Sequence, residues 1–122
     1  MKTASILLAA TLPLAAQSND WTRQDTYRET ACAAISIADW GQTLNIQDCY
    51  HQGTGAWEQN PILGRHPSRA QINTYFAASI GLHYLIARML PAEWRHAFQY
   101  VSLGFEAGIV THNYHLGFQV RF

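Results

Sequence analysis

Apolar and small residues recur at helical spacing over three stretches of this chain, and turn-forming residues separate them. The first stretch runs from about Thr26 to Gln47, through Ala31-Cys32-Ala33-Ala34-Ile35-Ser36-Ile37-Ala38-Asp39-Trp40. The second runs from Arg69 to about Leu90. Ser68 before it and Gln71 inside it have the spacing of a capping box, and Pro91 stops it. The third covers about 92–113, with Pro91 suited to its first turn and Glu93 favourable near its positive N-terminus. Gly53, Gly55, Asn60-Pro61, Gly64 and His66-Pro67 mark a loop between the first two helices. After the third, Tyr114, Leu116, Phe118, Val120 and Phe122 alternate with small or polar residues, which is strand periodicity. The pattern predicts an all-α fold, a three-helix bundle in one domain over 19–122, ending in a short extended tail. A closing strand of an outer-membrane barrel would alternate in the same way. Such barrels need about eight or more strands, and the helices leave no room for them.

The N-terminus has the three parts of an export signal. Lys2 supplies the positive charge, Ile6 to Ala16 an apolar run too short to span a bilayer comfortably, and Ala16-Gln17-Ser18 a small-residue cleavage site. A signal peptide over 1–18 follows, with Asn19 as the mature start. Export permits disulfides, and there are two cysteines, Cys32 and Cys49. On one helix they stand roughly 25 Å apart, whereas a bridge needs Cα atoms within about 7 Å. Free or intermolecularly paired thiols are predicted.

Charge and hydropathy change the picture. The formal net charge is zero, and no basic cluster offers a footprint for nucleic acid, so none is expected as a partner. Only 13% of residues are charged, about half the usual share for soluble domains. The second helix is apolar nearly all round: Ile72, Phe76 and Ile80 on one face, Leu82, Leu85 and Met89 on another. Each helix also carries small residues four apart, namely Ala34 and Ala38, Ala77 and Gly81, Gly104 and Gly108, a spacing that lets helices pack closely in lipid. These features predict a transmembrane bundle in the inner membrane, with lipid as a partner and self-association through the small-residue faces. Asn19 would then lie outside and the Glu58–Arg69 loop inside. A periplasmic bundle outside the bilayer is the alternative.

Ionisable and amide residues within apolar helices are the sharpest clue to chemistry, because a dry surrounding makes them costly. Asp39 and Gln42 share a face of the first helix. Asn73, Tyr84 and Arg88 roughly align on the second, and Gln99, Ser102, Glu106 and Asn113 form a stripe on the third. With Glu58, Asn60, His83 and His112 they are the candidates for a buried polar network, in which Arg88 or Arg95 neutralises a carboxylate. Glu58, His83, Glu106, His112 and His115 are of metal-ligating type, but their spacing matches no metal motif. No metal, other cofactor or catalytic nucleophile is predicted.

Asp39-Trp40-Gly41-Gln42-Thr43, Glu58-x-Asn60-Pro61-Ile62-Leu63-Gly64, Asn73-x-Tyr75-Phe76 and His112-Asn113 together resemble a group of uncharacterised small membrane proteins, some encoded by phages or prophages. The resemblance covers roughly residues 35–115, and Glu-x-Asn-Pro is its most specific part. It implies a helical membrane protein and no established activity. Two functions are therefore in view. One is an envelope factor acting by protein–protein interaction, such as a phage-derived lysis or exclusion factor. The other is a small enzyme, or an ion- or proton-translocating protein, using buried carboxylates.

Overall fold

A computed structural model describes residues 20–122. The signal peptide expected over 1–18 lies outside the described residues. Three helices carry the fold, α1 (Arg23–His51), α2 (Arg69–Met89) and α3 (Ala92–His115), and there is no strand among the described residues.

The helix starts are set by local chemistry. Thr22 accepts a hydrogen bond from the Asp25 backbone N–H, and the Asp25 carboxylate accepts the Thr22 N–H. This capping box starts α1 three residues before Thr26, where the apolar run alone would place it. Ser68 and Gln71 form the same reciprocal pair at the start of α2. Pro91 has no side chain to cap with, and its backbone carbonyl accepts the Arg95 N–H to open α3.

α2 runs antiparallel to α1, with Glu29 against His83 near one end, Trp40 donating to Asn73 in the middle and Asp48 facing Arg69 at the other end. α3 then runs parallel to α1: Arg95 meets Asp25, Gln99 meets Glu29, and Gln42 meets the carbonyl of Val110. Both lie chiefly on α1 and touch each other less.

The interior is more polar than apolar. Leu44, Ile72 and Phe76 make a small apolar core, with Trp40 stacked on Phe76 and with Leu63 and Tyr75 at its edge. Elsewhere the buried side chains include Asp25, Glu29, Asp39, Gln42, Arg95 and Gln99, while Met89, Val101 and Phe105 are about 70% exposed or more. This inverts the usual distribution.

Arg95 is the largest fully buried side chain among the described residues. Its guanidinium donates to the Asp25 carboxylate at 2.9 Å and to the carbonyls of Ala87, Leu90 and Asp20 at 2.9, 2.9 and 3.0 Å. It thereby ties the chain before α1, the end of α2 and the start of α3 to one point. Arg28 also donates to Asp25. Of the two arginines considered as partner to a carboxylate, Arg95 has this role. Arg88 is exposed and lies over the Trp21 ring, 4.9 Å from its centre.

No helix among the described residues is long and apolar enough to cross a membrane, which overturns the inner-membrane assignment and the transmembrane reading of the bundle. The large apolar residues of α2 and α3 are interrupted too often: by Asn73, Thr74, Ser79 and His83 in one, and by Gln99, Ser102 and Glu106 in the other. The inside–outside topology falls with it.

The glycines of the small-residue pairs do not pack against another helix of this chain. A Cβ added at Gly81, Gly104 or Gly108 meets nothing within 4 Å, so these glycines do not bring helices of this chain together. The close approach is at Gly41, where a Cβ would stand 2.6 Å from Val120 and 3.1 Å from the Arg121 nitrogen. There the C-terminal tail lies along α1. The Arg121 N–H donates to the Gly41 carbonyl at 3.2 Å, the Gln119 N–H to Asn45 at 2.9 Å, and Phe122 sets its ring edge against Trp40. The alternating tail pairs with this helix and, among the described residues, with no strand.

Two outcomes follow for stability. Arg95→Met leaves the Asp25 carboxylate buried with one cation fewer and lowers the unfolding free energy by about 3–5 kcal/mol, measured by urea denaturation; a loss below about 1 kcal/mol contradicts the central place of this pair. Gly41→Val keeps α1 helical but displaces the tail, so carboxypeptidase trims the variant to near residue 117 while the parent resists.

Candidate functional site

The loop after α1 is built around Glu58 and Asn60. The Glu58 Oε1 atom accepts the Asn60 N–H at 2.9 Å, and the Asn60 side chain accepts the Ile62 N–H at 2.9 Å, an Asx turn whose angle Pro61 fixes. The Glu58 N–H donates to the Arg65 carbonyl, and the Gly64 N–H to the Asn60 carbonyl, so the loop closes on itself. Arg65 lies over the Trp57 ring, 4.6 Å from its centre. These bonds hold the Glu58 carboxyl against the helices. Its second oxygen, Oε2, is buried with no hydrogen-bond partner.

Beneath the loop lies a cavity of about 770 Å³. α1 supplies Asp39, Thr43 and Ile46; the loop supplies Trp57 to Ile62; α2 supplies Tyr75. α3 supplies Gly104, Phe105, Glu106, Gly108, Ile109, His112 and Asn113, and the tail adds Leu116 and Phe118. Gly104 and Gly108 sit one helical turn apart on this wall, and the missing side chains are part of the reason for the space. The volume is in the range of small-molecule sites.

Three acidic residues reach this space. Burial, then the nearby charges of Glu106 and Glu58, push the Asp39 carboxyl up to about 7, and a hydrogen bond to Glu106 adds to the rise. Burial also raises Glu106, partly opposed by its hydrogen bond to Asp39 and by the charge of His83. The two carboxyls act as one pair, and the hydrogen bond between them favours the proton on Asp39. Asn113 donates to Asp39 Oδ1 at 3.3 Å. Glu106 keeps one oxygen, Oε2, that is buried and without a partner. Like charges close together in a low dielectric cannot both ionise cheaply, which is why one proton is shared. Among the described residues, the lining holds no arginine or lysine, and His112 is its only basic side chain.

The residues singled out from sequence fall into separate groups. Asp39, Glu58, Asn60, Glu106, His112 and Asn113 come together around the cavity. Gln42 is buried beside a second cavity of about 380 Å³, where its Nε2 donates to the Val110 carbonyl and its Oε1 has no partner. His83 stands apart with Glu29, at 2.7 Å. Asn73, Arg88 and His112 are exposed rather than buried; on the second helix Asn73 accepts from Trp40 and Arg88 lies over Trp21. Among the described residues, no three His, Cys, Asp or Glu side chains are grouped closely enough to hold a metal ion. Cys32 and Cys49 are free thiols, and burial pushes Cys32 up to about 11.

Sequence reasoning missed Asp25 and Glu29, both buried. The signal that identifies Asp25 is the Thr22-x-x-Asp25 capping pattern ahead of the apolar run. Comparison with protein families, with curated proteins and with solved structures finds no match to this chain. The residues of the Asp39, Glu58-x-Asn60-Pro61-Ile62, Tyr75 and His112-Asn113 elements, far apart in sequence, share this one cavity wall.

The raised Asp39 carboxyl has a measurable effect of definite sign. The folded state holds a proton that the unfolded chain releases at the ordinary carboxyl value of 3.8, so folding is favoured at low pH and loses that advantage as pH rises from about 4 through about 7. Asp39→Asn removes this loss. The variant matches the parent near pH 4 and is more stable above pH 7 by a few kcal/mol, since each tenfold change in proton affinity is worth about 1.4 kcal/mol. Urea titrations at the two pH values check it, and an equal effect at both contradicts the shared proton.

Proposed function

We propose that this protein acts through the acid-lined cavity and binds there a small organic cation with an apolar body. One observation carries the reading: two carboxyl groups, Glu58 and Glu106, present buried oxygens without partners beside a cavity whose other walls are Trp57, Tyr75, Phe105, Ile109 and Phe118. Unmatched buried acceptors are costly, and a protonated amine supplies donors and charge together. Aromatic faces add cation–π attraction. The Asp39–Glu106 proton gives the site a second option, since its release leaves two ionised carboxylates for a cation and its retention leaves one.

The test compares phenethylammonium with its neutral isostere 2-phenylethanol, followed by tryptophan fluorescence at neutral pH. The amine binds at least tenfold more tightly, a preference of about 1.4 kcal/mol. Glu58→Gln and Glu106→Gln each erase the preference. Gly104→Leu blocks both compounds while leaving the fold intact, because a side chain at residue 104 enters open space. Equal binding of amine and alcohol, or binding that Gly104→Leu leaves untouched, sinks the proposal.

A second reading, association with another protein, is favoured by a different observation. Leu82, Leu85 and Met89 are each more than half exposed on α2, and grouped apolar surface of this kind marks contact sites. The envelope and phage settings implied by the sequence resemblance belong to this reading.

A further inference from the structure

α2 and α3 each carry a second row of helix positions, apart from the buried one. On α2 the row is Tyr75, Ala78, Leu82, Leu85 and Met89; on α3 it is Trp94, Phe98, Val101, Phe105, Gly108 and His112. Steps of three and four alternate without a break in both rows, the narrow seam of helices that pack on other helices. At 3.6 residues per turn, each row lies about a third of a turn or more from the buried face of its helix. Those buried faces are marked by Ile72, Phe76 and Ala87 on α2 and by Arg95 and Gln99 on α3. Leu82, Leu85, Met89, Trp94, Val101 and Phe105 are accordingly each more than half exposed. Tyr75 of one row and Phe105, Gly108 and His112 of the other line the same cavity, so the two rows open on one side of the molecule.

No Asp, Glu, Lys or Arg stands in either row. A charged partner finds no counterion here. A second copy of the same face brings apolar side chains and no like charge, on a chain of zero formal net charge. Six large side chains at that exposure offer several hundred Å², the order of the about 800 Å² per partner in a standard stable interface. α2 and α3 are antiparallel and joined at Pro91, so a two-fold axis sets the helix pair of one copy against that of the other, as a four-helix layer. Gly81, beside the α2 row, has nothing within 4 Å of an added Cβ, which leaves room for a neighbouring helix. A lipid surface fits less well. Helices that lie on membranes carry Lys and Arg along their polar face, and the only Lys or Arg on α3 is the buried Arg95. We infer that the α2–α3 face is a homodimer interface, in which two copies of this chain bury Leu82, Leu85, Met89, Trp94, Val101 and Phe105 against each other. Pairing through this face rests on the reading of association with another protein, made specific to a second copy, and needs no ligand in the cavity.

Sedimentation equilibrium of the full chain, from about 1 to about 100 µM, tests it. The parent is a dimer over most of that range. Leu85→Glu and Val101→Glu each set a charge against its own copy, and the dissociation constant rises by at least about a hundredfold. Both positions are exposed within one chain, so the variants keep the parent's helix content by circular dichroism. A parent that stays monomeric at the highest concentration, or a dimer that both variants leave intact, overturns the inference. So does a monomer that pellets with vesicles of mixed anionic and zwitterionic phospholipid and no longer does so in the two variants, an outcome that gives the face to lipid. Val101→benzoylphenylalanine, photolysed in the cells that produce it, decides the matter where a charged variant does not fold. A product of twice the chain mass is expected, and its absence overturns the inference. A mixed product from a chain that is monomeric alone also rules out the second copy, while leaving association with a different protein standing.

Discussion

A charged side chain with no access to water has to be matched almost atom for atom, and Arg95 meets that condition by drawing in backbone from three parts of the chain. Desolvating a guanidinium and a carboxylate costs several kcal/mol for each ion unless their remaining donors and acceptors are filled. Here Asp25 takes bonds from Thr22, Arg28 and Arg95 at once, which holds its carboxyl well below the usual carboxylate range even though burial alone would raise it. The position of α3 beside α1 follows from this pairing. So does the parallel register that carries Glu106 and Asn113 up to Asp39, because a helix pinned at Arg95 has little freedom in where its next turns fall.

A polar interior of this kind differs from a hydrophobic one in how it specifies structure. Apolar contacts tolerate small slips, while a network of directional bonds in a low dielectric penalises any arrangement that leaves a donor or acceptor unmatched. Leu44, Ile72 and Phe76 make too small a core to fix three long helices by packing alone. Among the described residues, the buried side-chain atoms without partners, on Gln42, Glu58, His83 and Glu106, are then exceptions in an interior otherwise largely matched. Apart from His83, which stands with Glu29 one helical turn from Asp25, they lie away from the Arg95 end.

What the sequence made legible was local. Ser68 with Gln71, and Pro91, mark helix ends because the chemistry of capping needs only neighbours in the chain. Asp39 and Glu106 stood out because carboxyls are rare within apolar helices. Asp25 and Glu29 did not, since acids near a helix start ordinarily serve the helix dipole in water. Nor did the choice between Arg88 and Arg95. Both flank the same turn, and only the direction in which α3 leaves Pro91 decides which one points inward. The glycines misled in a more instructive way. Gly104 and Gly108 have the spacing of a packing motif, but absent side chains can equally admit a neighbour or leave a void, and spacing does not say which. The membrane reading failed for a related reason: scattered large apolar residues gave α2 and α3 a lipid-facing look, without the unbroken run that crossing a bilayer demands.

The cavity takes its walls from regions as far apart in sequence as Asp39 and Phe118. The last of these walls is held to α1 by little besides the Arg121 and Gln119 backbone bonds and the Phe122 ring. Protection against hydrogen exchange should therefore be graded along the molecule, deepest around Arg95 and shallowest at the tail. Fraying of those few bonds would open this wall without disturbing the Arg95 end, on the timescale of a local opening rather than that of unfolding.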